Sequence, residues 1–491
     1  MIAFQPEFRP ALPFVFGAKE YNDCRSVFEE IDRILITSGL ESDFIRRHIS
    51  PDSEEVSKGK DQASCRMVQR ALRYALLLAL TEESYRELSL RVADSALFQW
   101  FTSSAQIDGV RPASKSTIER YSKMFPSEDI TWLIHELNRA VSDDKGAEEL
   151  LLRQTKLHFD KVFADTTCVK ANIHFPVDWV LLRDAVRTLV KAIEIIRSHG
   201  LKYRISEPAE FLRKMNKLCI EMSSVRKKKN ASKMRKVIFR RMKKLAKTVQ
   251  NHAESYHREL EARWSETSLS QMEAQVILER IGNILCQLPQ AIKQAHERII
   301  GGRRVKNEDK ILSLYEPDVH VIVRGKAGAE VEFGNSLYLA EQIDGLIVDW
   351  LFMEEQPPGD NKLVQESVGR IGKEYGNISS YTADRAFDSP QNRIDLEELE
   401  IINAICPRSV PLLQEKLEDE EFRLLQKRRG ATEGRIAIFK NCFLGKPLRS
   451  KGFINRRLRV EICVLAHNLW KLGSMAAERR KELQRESAKA A

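Results

Sequence analysis

KVFADTTCVKANI, Lys161 to Ile173, is the stretch on which the fold turns. It is β-branched and apolar, and so reads as a strand. One residue breaks the pattern. Asp165 stands within the apolar run, where strand interiors disfavour aspartate. A partly buried carboxylate needs a partner there, such as a metal ion.

Downstream, from about Val180 to Ile300, the pattern is helical. Inside this block Arg226 to Lys247 holds twelve Lys or Arg and no Asp or Glu. Arg226, Lys227, Lys228 and Lys229 are consecutive. Lys236, Arg240, Lys243, Lys244 and Lys247 recur at spacings of three, four and seven, and so share one helix face. Val237, Ile238 and Leu245 are expected to supply apolar contacts. Such a face suits DNA phosphates. An ordinary solvated face fits the same charges.

From His320 strands return. His320–Arg324 and Glu330–Phe333 read as a pair joined by the turn Gly325–Gly328, and Tyr338–Met353 continues in apolar runs. A helix is expected over Leu363–Tyr375, a strand over Ile378–Ala383, a short helix over Asp395–Glu400 and a strand over Ile401–Cys406. From Gln414 the chain reads as mainly helical, with a charged tail from Ala476 expected to fray. Strands first, then strands alternating with helices, make a mixed α/β sheet flanked by helices. The helical block is then a large insertion after the first strand.

Upstream, residues 1–20 read as extended and Tyr21–Leu137 as helical. Met67, Val68, Ala71, Leu72, Ala75 and Leu76 repeat at helical spacing, as do Leu88, Leu90, Val92, Ala93, Leu97 and Phe98. After the breaks at Gly109 and Pro112, Ser114 can cap a short helix through Thr117, Ile118 and Tyr121. Helix, break and short polar helix outline either a helix-turn-helix or a plain bundle corner.

The 491 residues, 43% apolar and 31% charged with a formal charge of +10, describe a globular chain with room for roughly three domains. The longest apolar run, Tyr74–Leu80, is too short to span a bilayer, and Met1–Phe14 lacks the pattern of a signal peptide. Eight scattered cysteines form no Cys-x-x-Cys clip, so neither a zinc ribbon nor a redox motif is indicated, and the usage fits a reducing compartment.

Two further acids stand out. Asp384, in TADRAFDS, ends the strand expected before it, where α/β sheets gather ligand-binding side chains. Arg385 beside it offers a simple ion pair instead. Glu433 shares a helix face with Arg429 and Lys440, four and seven residues away. That spacing also describes an ordinary solvated helix. Gly430 and Gly434 flank Glu433 and weaken the helix, which is easier to explain if a bulky partner comes close. Three carboxylates without a histidine cluster suit Mg²⁺ or Mn²⁺. Asp388 reads as a supporting acid or a helix cap. His174 and Asp178 read as local hydrogen-bonding groups, and Trp470 as core.

At these residues the chain resembles the DDE transposases of bacterial insertion sequences, which have a ribonuclease H-like catalytic core. The resemblance rests on FADTTCVKANIHFPVDWVLL around Asp165, YEPDVHVIVRGKAGAEVEFG from Tyr315, YTADRAFDS around Asp384, and RRGATEGRIAIFK with RVEICVLAHNLWKL from Arg428. EESYRELSLRVADSALFQWF, Glu82–Phe101, looks like the N-terminal helical region of the same proteins. Their last motif runs Tyr, two residues, Arg, three residues, Glu, six residues, Lys. Arg429, Glu433 and Lys440 match it, and Gln426 stands at the Tyr position.

The resemblance implies a helical N-terminal DNA-binding region (1–150), a ribonuclease H-like domain in two parts (151–178 and 306–475), a basic helical insertion (179–305) and the tail (476–491). It implies that Asp165, Asp384 and Glu433 are catalytic and bind two Mg²⁺ or Mn²⁺ ions, and that Arg429 and Lys440 contact the DNA end or the scissile phosphate. The partners would be double-stranded DNA, as transposon ends and target, and a second copy of the chain. The location would be the cytoplasm, at the nucleoid. A ribonuclease H-like nuclease that only hydrolyses, and an inactive DNA-binding regulator, are the alternatives.

Overall fold

The structure, a computed structural model, describes residues 9, 11–13, 15–49, 58–203, 205, 207–225, 230–326 and 329–490. Apolar spacing sets the N-terminal helices. They are α1 (Lys19–Thr37), α2 (Leu40–Arg47), α3 (Lys58–Thr81), α4 (Tyr85–Asp94) and α5 (Ala96–Phe101). On α3, Val68, Ala71, Leu72, Ala75 and Leu76 are buried as their spacing predicts, whereas Met67 turns outward. A two-stranded hairpin, β1 (Ala105–Gln106) and β2 (Gly109–Val110), precedes α6 (Lys115–Tyr121). Ser114 caps α6 through the Thr117 N–H at 3.3 Å, as expected. Next come α7 (Ser127–Ala140), α8 (Asp144–Leu151) and β3 (Lys161–Lys170).

Then follow α9 (Asp178–Ser198), α10 (Pro208–Ser224), α11 (Ala231–Arg263), α12 (Gln271–Ile299), β4 (His320–Lys326), β5 (Ala329–Glu341) and β6 (Ile347–Phe352). The C-terminal part holds α13 (Leu363–Tyr375), β7 (Ser380–Ala383), α14 (Pro390–Glu398), β8 (Ile402–Ile405), α15 (Val410–Lys416), α16 (Glu420–Ile438) and α17 (Phe453–Ala490). The helix expected over Asp395–Glu400 begins earlier, because Ser389 caps it through the Asn392 N–H and Pro390 occupies the first turn. Parts of the extended reading of residues 1–20 and of the turn Gly325–Gly328 lie outside the described residues.

The chain forms two compact units. The first contains residues 1–170, 336–353 and 357–491. Its sheet runs β6–β5–β3–β7–β8, with β5 contributing its second half. β5 and β6 are antiparallel, and β3, β7 and β8 are parallel. The chain is thus of mixed α+β class, mostly helical. One buried cluster links Val27 and Phe28 of α1, the sheet, and Val460 to Leu472 of α17.

α17 lies along α1, α3 and α7. Gly473 lets it approach α1, since a Cβ there would meet Ile31 Cγ1 at 2.9 Å. Buried Asn468 pins α17 to the edge strand β6, accepting the Ile347 N–H at 2.9 Å and donating to the Ile347 carbonyl at 2.8 Å. Such capping satisfies an edge that would otherwise expose its backbone. Contrary to the expected frayed tail, α17 continues through Ala490. Arg480 reaches Glu30 and Lys481 reaches Asp23, both at 2.5 Å.

The second unit contains residues 171–335 and 354–356. α9 to α12 surround their own core of Leu182, Val186, Leu189, Met215, Phe239, Met242, Ile281 and Leu288. Ser270 and Glu273 cap α12 reciprocally. β4 and the first half of β5 form the expected antiparallel pair, with Val321 opposite Phe333. Asp178 is buried against Gln294 at 2.8 Å and Arg298 at 3.0 Å, as a hydrogen-bonding group. Among the described residues no helix is long and apolar enough to cross a membrane.

Candidate active site

β3 and β7 run parallel, with Val162 opposite Tyr381 and Phe163 opposite Thr382. Two residues further along this register Asp165 stands level with Asp384, the first residue past β7. The apolar run that makes β3 a strand therefore carries Asp165 to the sheet end where Asp384 emerges. Asp165 Oδ1 accepts the Thr166 N–H at 2.7 Å, and Asp384 Oδ1 accepts the Ala386 N–H at 2.8 Å. No ion pair joins Arg385 to Asp384 among the described residues; Arg385 is exposed.

Burial pushes the Asp165 carboxyl up to about 6. The Thr166 N–H opposes that rise, the charges of Asp384 and Glu433 add to it, and Arg429 opposes it. The two other acids and Arg429 thus lie within electrostatic reach of Asp165. Glu433 arrives from α16 with its side chain 57% exposed, and its Oε1 accepts Arg429 Nη1 at 2.8 Å.

Gln426 organises this corner, a role its sequence position does not announce. Its Nε2 donates to the carbonyls of Ala383 at 3.1 Å and Ala404 at 2.6 Å, at the ends of β7 and β8. Its Oε1 accepts Arg429 Nε at 3.1 Å. The other side of α16 is fixed by buried Glu341 at the end of β5. Glu341 Oε1 accepts from Thr432 at 2.7 Å, Arg435 at 2.7 Å and Arg428 at 3.1 Å. Sequence reasoning missed Gln426, Thr432 and Glu341 as supports.

Lys440 joins the site by a route other than the expected straight-helix phase. α16 stays α-helical only to Ile438, and Phe439–Leu444 forms a π-helical turn. Lys440 Nζ donates to Thr167 Oγ1 at 2.9 Å. Thr167 is two residues from Asp165 and so on the same face of β3. Sequence reasoning missed Thr167; its period-two spacing from Asp165 is the signal that could have found it.

Three carboxylates with no soft ligand fit a hard divalent ion in kind. Among the described residues, however, no three His, Cys, Asp or Glu side chains converge closely enough to hold one ion. Glu433 is engaged with Arg429 instead. Asp388 neither caps α14 nor joins the acids. It is buried, chelating Arg393 at 2.9 and 2.6 Å and accepting the Arg408 N–H at 2.8 Å. Trp470 packs edge-on to Phe28 against the core, as read from the sequence.

In the second unit, Lys236, Arg240, Lys243, Lys244 and Lys247 lie on α11. Ile238, Phe239, Met242, Ala246 and Val249 bury the opposite side. Arg240, Lys244 and Lys247 are exposed, and Lys236 and Lys243 half-buried. None of the five makes an ion pair among the described residues, whereas the adjacent Arg241 bonds Glu221 at 3.0 Å. Val237, expected to give an apolar contact, is 51% exposed because it falls outside the buried stripe. Lys243, Lys247 and Gln250 share a cavity with Lys293 and His296 of α12. Arg226, Lys227, Lys228 and Lys229 lie outside the described residues. Compared with protein-family models, curated proteins and solved structures, the chain matches none.

Proposed function

We propose that the chain is a DNA transposase of the DDE type with a ribonuclease H-like core, cutting DNA ends and joining them to target DNA. The reading is carried by one observation. Continuing the parallel β3–β7 register sets Asp165 level with Asp384, the first residue past β7, within electrostatic reach of Glu433 and Arg429. The order β6–β5–β3–β7–β8, antiparallel on one side and parallel on the other, supports a ribonuclease H-like sheet.

In this reading Asp165, Asp384 and Glu433 would hold two Mg²⁺ or Mn²⁺ ions once Glu433 turns from Arg429. Bound there, such ions would supply charge stabilisation for an in-line displacement at phosphorus and would activate the attacking water or 3′-hydroxyl. The chain's own residues do the rest. Arg429 and Lys440 bind phosphate oxygens beside the acids and fix the scissile bond, which is most of what phosphoryl transfer asks of a protein. The cationic face of α11 binds the DNA backbone without reading sequence. A second copy of the chain pairs the two DNA ends, in a cytoplasmic, nucleoid-bound complex.

The test is incubation of purified protein with Mg²⁺ and DNA bearing the terminal inverted repeats that flank the coding sequence. The expected products are nicked ends and joined strands, both lost in Asp165→Ala, Asp384→Ala and Glu433→Ala. Cleavage without joining makes the chain a nuclease. Binding without either reaction makes it a regulator. Cleavage retained by all three variants removes the site assignment.

A further inference from the structure

We infer that Arg429 is a latch on Glu433, set by the positioning residue Gln426, and that it keeps the third carboxylate from a divalent ion until DNA draws the guanidinium away. The inference rests on the metal-binding reading of the three acids.

The geometry is a chain of hydrogen bonds with its direction fixed. Two main-chain carbonyls, of Ala383 and Ala404, can only accept, so the amide nitrogen of Gln426 must face them with its two protons. Its oxygen is then turned outward and accepts Arg429 Nε. The guanidinium is planar, so fixing Nε also fixes where the remaining N–H groups point. Nη1 meets Glu433 Oε1 at 2.8 Å.

Arg429 is mostly shielded, with 19% of its side chain exposed, while Glu433 is 57% exposed. The more shielded partner is the fixed one and the exposed partner is captured. The anchoring carbonyls adjoin the other acid, since Ala383 precedes Asp384. A single amide therefore ties the guanidinium to the strand end that carries Asp384. Glu433 cannot give both oxygens to an ion while one is bonded to Arg429. A DNA phosphate offers that guanidinium a better bidentate partner. Phosphate binding and release of Glu433 are then one event, and the metal site completes itself only on DNA.

The experiment measures Mn²⁺ binding to the full-length protein without DNA, by electron paramagnetic resonance at low ionic strength. Wild-type binding should be weak and lost in Asp384→Asn; if binding is absent in wild type and Arg429→Gln alike, or is unaffected by Asp384→Asn, the metal-site reading and the latch both fall. Arg429→Gln should bind Mn²⁺ about two- to five-fold more tightly, the range expected for freeing a partly exposed ion pair. Gln426→Leu should shift affinity the same way though less, and should add nothing in the Gln426→Leu/Arg429→Gln double variant. That arm separates a latch from a simple change of field, because Gln426→Leu alters no charge. Should Gln426→Leu lower the melting midpoint, Gln426→Asn, too short to reach both partners, replaces it. Unchanged or weaker Mn²⁺ binding in Arg429→Gln, or full additivity in the double variant, overturns the latch while leaving the metal site intact.

Discussion

An ionised Asp165 works against the fold that carries it. Its carboxyl is pushed from the ordinary 3.8 up to about 6, chiefly by burial and then by Asp384 and Glu433. The folded chain thus holds this proton more tightly than the unfolded one. That stabilisation is fully present below about pH 4 and is lost as pH rises through about 6. Asp165→Asn should therefore raise the melting temperature of the metal-free protein at pH 8 and leave it nearly unchanged at pH 4. The gain at pH 8 should be on the order of 2–3 kcal/mol at most. Thermal melts at the two pH values check it, and an equal shift at both would sink it. Asp165 and Asp384 are legible in the sequence because each interrupts or ends an apolar run. Gln426 is not legible. Its carbonyl partners lie 43 and 22 residues away, and nothing local marks an amide that bridges two strand ends.

Among the elements, α16 carries two glycines in its interior, Gly430 and Gly434. A Cβ at Gly430 or Gly434 would meet nothing within 4 Å, so no packing among the described residues calls for glycine at either position. Glycine in a helix interior costs about 1 kcal/mol against alanine. Gly430→Ala and Gly434→Ala should each stabilise the protein by up to about that amount. Both should weaken DNA joining if a DNA backbone lies against this face. Denaturant unfolding and a strand-joining assay read the two effects, and variants that are both more stable and fully active would remove the glycines from function. The pairing of Arg429 with Glu433 follows from helical spacing and could be read directly. The place of Lys440 could not, because the π-helical turn at Phe439–Leu444 has no compositional mark. Strands β3, β7 and β8 were legible from their apolar runs. The continuation of α17 past Ala476 was not, since Arg480 and Lys481 find their partners on α1, far away in sequence.

Across the whole molecule, Lys236, Arg240, Lys243, Lys244 and Lys247 of α11 belong to the second unit, while Asp165, Asp384 and Glu433 belong to the first. If the α11 face binds phosphates, replacing Lys243 and Lys247 by Gln should weaken DNA binding alike for all sequences. It should also reduce the slope of log affinity against log salt by about 0.9 for each phosphate no longer neutralised. Fluorescence anisotropy over a salt series measures this, and an unaltered slope would exclude both lysines from the interface. Division into strands and helices, and the helical block after β3, were visible in the pattern of apolar residues, but the core shared by the N-terminal helices, the sheet and α17 was not. One buried cluster joins residues as distant as Val27 and Ala477, a relation no local window contains. The packing of α17 on α1, α3 and α7 has a temporal consequence. During synthesis the first helices leave the ribosome long before residue 453 is made, and their apolar faces must wait for it. A chain released early would lack the helix that closes this core. Fragments that stop before residue 453 should then be aggregation-prone, because the apolar faces of α1, α3 and α7 stay uncovered.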